Sequence, residues 1–122
     1  MHKRRWRPYK TAAGGCPVDD FMNDLPDDDY AAVVAAMELV RIHGVSFARH
    51  VRGDIYEVRV AGRNRIFRVL FAQLGAFQHV LLSLSAFTKK TQKTPPHEIE
   101  VAEHRLTDWR ERGRTVKRKK LN

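Results

Sequence analysis

At Gly53 the spacing of apolar residues changes from helical to alternating, and this switch constrains the fold of the 122-residue chain more than any other feature. In residues 54–60, Tyr56, Val58 and Val60 point one way, and Ile55, Glu57 and Arg59 the other. Gly62, Arg63 and Asn64 predict a tight turn into a second strand over residues 65–73. There Phe67, Val69 and Phe71 share a face and a parity with Arg65, while Arg68 lies opposite with Ile66 and Leu70. Leu74, Gly75 and Ala76 make another turn, and residues 77–87 form a nearly continuous apolar run, as expected of a central strand covered on both faces. Successive strands joined by short turns predict an antiparallel meander.

Helical spacing flanks this meander on both sides. Pro17 to Asp20 open a short helix carrying Phe21, Met22 and Leu25, and Pro26 interrupts it. Asp27, Asp28 and Asp29 suit the N-terminal cap of a second helix, whose stripe of Tyr30, Val33, Val34, Met37 and Val40 reads as core and which Gly44 stops. After the strands, residues 88–94 read as a polar, basic loop. Thr94 then caps a third helix with Pro95 at its first position and Ile99, Ala102, Leu106 and Trp109 as its apolar stripe, ended by Gly113. The expected organisation is a basic N-terminal extension over residues 1–16, a folded domain over residues 17–112, and a basic disordered tail over residues 113–122.

Charge divides the chain further. Lys plus Arg is 23 and Asp plus Glu is 14, a formal net charge of +9. Residues 1–10 and 110–122 together hold +11, so the body between them is slightly acidic at −2. Within the body, residues 19–38 carry 7 acids and no Lys or Arg, whereas residues 52–93 carry a net +6. The basic block suggests a surface for a polyanion, most simply nucleic acid; its bland alternative is a solvated surface with scattered arginines. No apolar run approaching the roughly 20 residues of a bilayer span is read, so no membrane partner is expected. One cysteine, Cys16, forms no internal disulfide, and a reducing cytoplasm fits it best.

Several chemistries lack their residues. Gly14-Gly15 is not followed by Gly-Lys-Ser/Thr, so there is no phosphate loop. The six histidines show no metal-ligand spacing, and no metal or cofactor is expected. What remains is a concentration of cations near strand ends: Arg59 and Arg68 on adjacent strands at solvent-facing parity, then Lys89, Lys90 and Lys93 where the third strand exits. Such groups can hold a phosphodiester and stabilise a pentacoordinate transition state, or bind it without chemistry. Residue pattern leaves the two open.

The segments Ile55-Tyr56-Glu57-Val58-Arg59, Arg68-Val69-Leu70-Phe71 and, above all, residues 87–95 (Phe-Thr-Lys-Lys-Thr-Gln-Lys-Thr-Pro) with Glu98, Ile99 and Ala102 resemble the phage-derived Gp49-like and HigB toxins of the RelE superfamily. The resemblance covers about residues 17–112. It implies an α+β, RelE-like fold: helices packed on a small curved antiparallel β-sheet, with a C-terminal helix. It implies the toxin of a type II toxin–antitoxin module, a metal-independent, ribosome-associated mRNA endoribonuclease that inhibits translation by 2′-hydroxyl attack on the adjacent phosphodiester. Carried onto this sequence, Arg68 holds the scissile phosphate, with Arg59, Lys89 and Lys90 as further catalytic candidates and Arg63, Arg65 and Lys93 as RNA-binding ones. Phe67 and Phe71 stand where the family often has tyrosines, which removes phenolic hydroxyls there. The implied partners are mRNA, the ribosome and a HigA-like helix-turn-helix antitoxin in a higher-order complex. The rivals are a non-catalytic nucleic-acid-binding phage-derived protein and an inactive toxin homologue.

Overall fold

The computed structural model describes residues 3–121, with the side chains of residues 3–114. Its centre is a five-stranded open sheet in the order β1-β5-β4-β3-β2, where β1 is Arg5–Pro8, β2 Arg49–Arg52, β3 Ile55–Ala61, β4 Ile66–Leu74 and β5 Val80–Thr88. The meander β3-β4-β5 is antiparallel as expected, and so is β2 against β3. The sheet as a whole is mixed, because β1 pairs with β5 in parallel. Helices α1 (Pro17–Asn23) and α2 (Asp27–His43) cover one face. Helix α3 (Pro96–Leu121) covers the other. The architecture is the α+β, RelE-like one.

Strand alternation divides the core into two layers. Val58, Val60, Phe67, Val69, Phe71 and Leu81 pack under α1 and α2 with Val18, Met22, Val33 and Val40. Ile55, Leu70, Ala72, Leu82 and Leu84 pack under α3 with Ala102 and Leu106. A register shift between Leu70 and Phe71 against β5 marks a bulge that bends the central strand. The expected stripe of α3 holds, with Ile99, Ala102 and Leu106 buried and Trp109 packed alongside.

Several sequence expectations are corrected. β1 was read only as charge, yet Trp6 packs into the core edge-on to Phe71 at 5.0 Å and donates through Nε1 to the Met37 carbonyl at 2.8 Å. Arg4 donates to the carbonyls of Arg41 and Ile42, placing a cation at the C-terminal end of α2. β5 begins at Val80, not Phe77, because Phe77 and Gln78 adopt φ of 60° and 57° in a left-handed turn that no strand can contain. α3 begins at Pro96, with the Pro95 carbonyl accepting from Glu98 and Ile99, since Thr94 is engaged elsewhere. It also runs through Gly113 to Leu121, so the helical backbone continues into the segment expected to be disordered.

Helix α2 departs most from its expected role. Val33 and Val40 are buried, but Tyr30 and Val34, read as core, are 41% and 44% exposed. The 21-residue stretch Asp27–Phe47 contains an 18-residue window of mean hydropathy 1.3 and so is long and apolar enough to cross a membrane by length and composition, against the expectation that no run approaches that length. In the fold its inner side is committed to the sheet.

Candidate active site: a cationic groove

The β3–β4 turn and the segment following β5 form the walls of an open groove of about 710 Å³, lined by Arg63, Asn64 and Arg65 on one side and Lys89, Lys90 and Gln92 on the other. Its turn is tight because Gly62 donates to the Arg65 carbonyl at 2.8 Å. A Cβ on Gly62 would lie 2.6 Å from Phe67 and 2.7 Å from Asp29, so only glycine fits there. Asp29, expected to cap α2, instead turns its buried carboxylate to the Arg63 amide, accepting at 2.9 Å. The helix cap position falls to Pro26. The first turn of α2 therefore holds the arginine turn in place from behind.

The opposite wall stands on Arg68. Sequence parity placed Arg68 with Arg59 on a solvent-facing side, and the two are indeed register partners across β3 and β4. Arg59 is exposed, whereas Arg68 has a relative exposure of 0%. Parity says which residues share a face; it does not say what covers that face. Here the segment between β5 and α3 folds over Arg68. Its Nη2 donates to the Thr91 carbonyl at 3.2 Å and the Gln92 carbonyl at 2.6 Å, and its Nη1 to Thr94 Oγ1 at 3.3 Å. Glu57, also buried, accepts from Thr94 Oγ1 and lies 3.7 Å from Arg68 Nε, which has no hydrogen-bond partner. A buried guanidinium and its buried carboxylate thus fix the backbone at 91 and 92 and the end of the loop at Thr94.

Lys89 occupies the junction of the two walls. Its amide extends the ladder by donating to the Ile66 carbonyl at 2.7 Å, and its Nζ reaches Gln92 Oε1 at 3.4 Å. Partial burial pushes the pKa of the amino group down, the guanidinium charges of Arg59 and Arg68 push it further down, and Glu57 opposes them. Lys90 is exposed on the groove wall, and Arg65 lies 5.9 Å over the Phe67 ring. Arg63 is paired loosely with Asp28 at 3.8 Å, both side chains being largely exposed. Lys93 is exposed in the same segment but does not line the groove. Among the described residues, no cluster of three His, Cys, Asp or Glu side chains is set to hold a metal ion. Cys16 is half-buried at the start of α1, its thiol pKa raised by burial, away from the groove lining.

Residues 20–107 match the family model of the phage-derived Gp49-like proteins. The chain belongs to that family. It is also 37% identical over 108 residues to "Probable endoribonuclease HigB1" of Mycobacterium tuberculosis, in strain CDC 1551 / Oshkosh and equally in strain ATCC 25618 / H37Rv. Each alignment covers 86% of this chain and 84% of the relative.

Within this Gp49-like chain the positions carried over from family motifs separate into two kinds. Arg59, Arg63, Arg65, Lys89 and Lys90 reach the groove or its edge, while Arg68 lies beneath the wall. Phe67 and Phe71 are fully buried, touching Phe21, Trp6 and Tyr56, so both rings serve the core. The sequence pattern gives no role to Glu57 or Gln92 and offers Thr94 only as a helix cap. The usable signal is Glu57 on the same face as Arg59 and Arg68, one acid beside two bases on a face that also carries Ile55, Leu70 and Ala72.

Proposed function

We infer that this Gp49-like protein is the toxin of a toxin–antitoxin module and an endoribonuclease that cuts mRNA in the cationic groove, acting on ribosome-bound message and so inhibiting translation. One observation carries the reading. A lysine amine, Lys89, sits at the junction of the groove walls with its proton affinity lowered by burial and by the neighbouring guanidinium groups. An arginine cannot take a proton, whereas burial and the crowding by Arg59 and Arg68 move Lys89 in the direction a general base requires. The endoribonuclease name of the HigB1 relatives supports cutting of RNA as the activity.

In this mechanism the RNA backbone lies along the groove with its phosphates against Arg63, Arg65 and Lys90. Neutral Lys89 removes the proton of a 2′-hydroxyl, the freed oxygen attacks the adjacent phosphorus, and the bond to the 5′-oxygen breaks. The products are a 2′,3′-cyclic phosphate and a 5′-hydroxyl, whose proton comes from solvent. Arg59, exposed and close enough to repel the Lys89 charge, stabilises the extra negative charge of the pentacoordinate state. Arg68 keeps the loop that presents these groups in place. This division departs from the role the family motif suggests for Arg68, because a guanidinium at 0% exposure with its donors directed to backbone carbonyls has no free fork for a phosphate.

The test is cleavage of ribosome-bound and of free message by the purified protein, with end-group analysis. A cyclic phosphate on the 5′ fragment and cutting that needs the ribosome are expected. RNA binding without cutting, by folded protein in both assays, would return the non-catalytic rival.

A further inference from the structure

The charged groove uses only the first turn of α2, through Asp28 and Asp29, and nothing in its chemistry explains the outer side of the rest of that helix. Six large apolar side chains stand out as exposed among the described residues, and five of them, Tyr30, Val34, Leu39, Ile42 and Phe47, lie on α2 or the single 3₁₀ turn (Gly44–Phe47) that continues it. Ala31, Ala35, Leu39 and Ile42, all exposed, recur at spacings of four, four and three, with Val34 at the edge of this row one turn before Glu38. The helix therefore has two apolar stripes, one buried against the sheet through Val33 and Val40 and a second left uncovered. An exposed apolar stripe rimmed by charged residues marks an interaction site, so the second stripe lacks its cover.

Shape and charge specify that cover. Beside Val34 a cavity of about 200 Å³ opens between α1, α2 and β1, walled by Trp6, Val18, Met22 and Met37 and rimmed by Asp19 and Glu38. It has the size and lining to take an apolar anchor side chain. Asp19 and Glu38 stand at the cavity itself, and the same two helices and the turn between them expose Asp20, Asp24, Asp27 and Asp28, while the nearby cations are engaged, Arg41 with Glu38 and Arg63 with Asp28. A second copy of this face would oppose one acidic rim with another, and RNA would be repelled. A segment whose apolar stripe is flanked by Lys and Arg meets both demands.

We propose that the outer stripe of α2 and its adjoining cavity form a docking site for a basic amphipathic helix of the cognate antitoxin. The docking site stands on the exposed stripe, the cavity and the acidic rim; the identity of the partner as the antitoxin rests on the toxin reading above. The site lies on the sheet face opposite α3 and is separate from the groove lining, so the partner and RNA approach different surfaces.

The experiment measures the affinity of the full chain for the purified product of each adjoining reading frame by titration calorimetry. It is repeated with the Val34→Arg/Ile42→Arg variant and the milder Leu39→Ala/Ile42→Ala variant, each checked by circular dichroism. Loss of central interface anchors predicts binding weaker by roughly 30-fold or more for the arginine variant and by roughly tenfold for the alanine one. In cells the alanine variant should still arrest growth and should be rescued poorly by the partner. Unchanged affinity in both variants, no binding of either product by wild type, or a wild-type dimer that the arginine variant dissociates would each overturn the proposal. Wild type that binds through α2 yet never arrests growth would remove the nuclease reading and leave the docking site standing.

Discussion

The groove end and the α2 face have opposite surfaces and settle their unfavourable contacts in opposite ways. At the groove, cations are crowded together, and the repulsion is met inside the chain. One buried acid, Glu57, sits among Arg59, Arg68 and Lys89, and a second, Asp29, holds the turn that carries Arg63 and Arg65. At α2 the acids lie outside, and the apolar stripe between them has no intramolecular cover. The groove walls are held by the chain itself, through Gly62 and Asp29 on one side and Arg68 on the other. The α2 face is complete only with something docked on it. This contrast separates residues whose loss unfolds a wall from residues whose loss only removes an interaction.

The sharpest break of the contrast is at Arg68. Arg68→Ala leaves the Glu57 carboxylate buried without its cation and releases the carbonyls of Thr91 and Gln92, which should cost about 3–5 kcal/mol. Because desolvating the pair offsets much of its attraction, a Glu57→Met/Arg68→Met double variant should be more stable than either single replacement. Urea unfolding of the wild type, Arg68→Ala, the two single methionine variants and their double checks both statements. A nearly neutral Arg68→Ala would show that the guanidinium is not braced as described.

Next in size is Arg59, the register partner of Arg68 and its functional opposite. Arg59→Ala removes an exposed side chain, so the stability change should stay within about 0.5 kcal/mol. Cutting should nevertheless fall by roughly 100- to 1,000-fold, as for other lost charge-stabilising contacts. Single-turnover cleavage of message alongside the unfolding curve separates the two arginines: one changes stability first, the other rate alone. Equal losses of stability in both would erase the distinction.

That distinction marks the limit of what the sequence shows. The period switch at Gly53 was enough to find β3, β4 and the parity of every residue on them, since alternation is local and both neighbours of a turn are visible in the chain. Exposure is not local. Arg68 is buried because residues 89–95 fold over it, and no strand pattern reports the path of a later loop. The same holds for β1 and β2, each four residues long and rich in arginine, whose strand character comes from the neighbour they pair with. Of the groove, the cations were legible from their clustering and the family motif. The acids that hold them, Glu57 and Asp29, were not, because one sits mid-strand and the other passes for a helix cap.

Lys89 sharpens the comparison through pH. Its amine is held below the ordinary lysine range, first by burial and then by Arg59 and Arg68, so the neutral base grows in as pH rises through that lowered value. Cutting should increase with pH along this limb. Arg59→Gln removes a repelling charge, raises the Lys89 pKa and should displace the limb to higher pH, in addition to lowering the rate. The same depression gives the folded state a handicap when Lys89 is protonated, which disappears as pH climbs past the unfolded lysine value. Lys89→Gln should therefore abolish cutting without lowering the melting temperature at neutral pH. A flat pH–rate profile, or a limb unmoved by Arg59→Gln, would take the base role from Lys89 and leave it a phosphate contact.

The smallest effect is expected at the C-terminal end, where neither the groove nor the α2 stripe is involved. Within α3, Arg112 pairs with Asp108 at 2.9 Å and lies over the Trp109 ring, and both charged groups reach Tyr9, whose hydroxyl donates to Asp108 at 2.7 Å and whose ring lies under Arg112. Beyond it, Gly113 and Arg114 are exposed, so the helix is anchored to the domain before its last turns begin. Deleting residues 114–122 removes five cations, Arg114, Lys117, Arg118, Lys119 and Lys120, with this anchor intact. Unfolding free energy should change by no more than about 0.5 kcal/mol. RNA affinity should fall mainly at low salt, and if all five cations contact phosphate, the slope of log affinity against log salt should drop by about 3 to 4 for a single strand. Fluorescence anisotropy with a labelled oligoribonucleotide across a salt series reads this directly. A parallel shift with unchanged slope would mean that the tail acts on the domain rather than on RNA, and a large fall in melting temperature would mean that α3 needs its last turns to hold Arg112 over the aromatic pair.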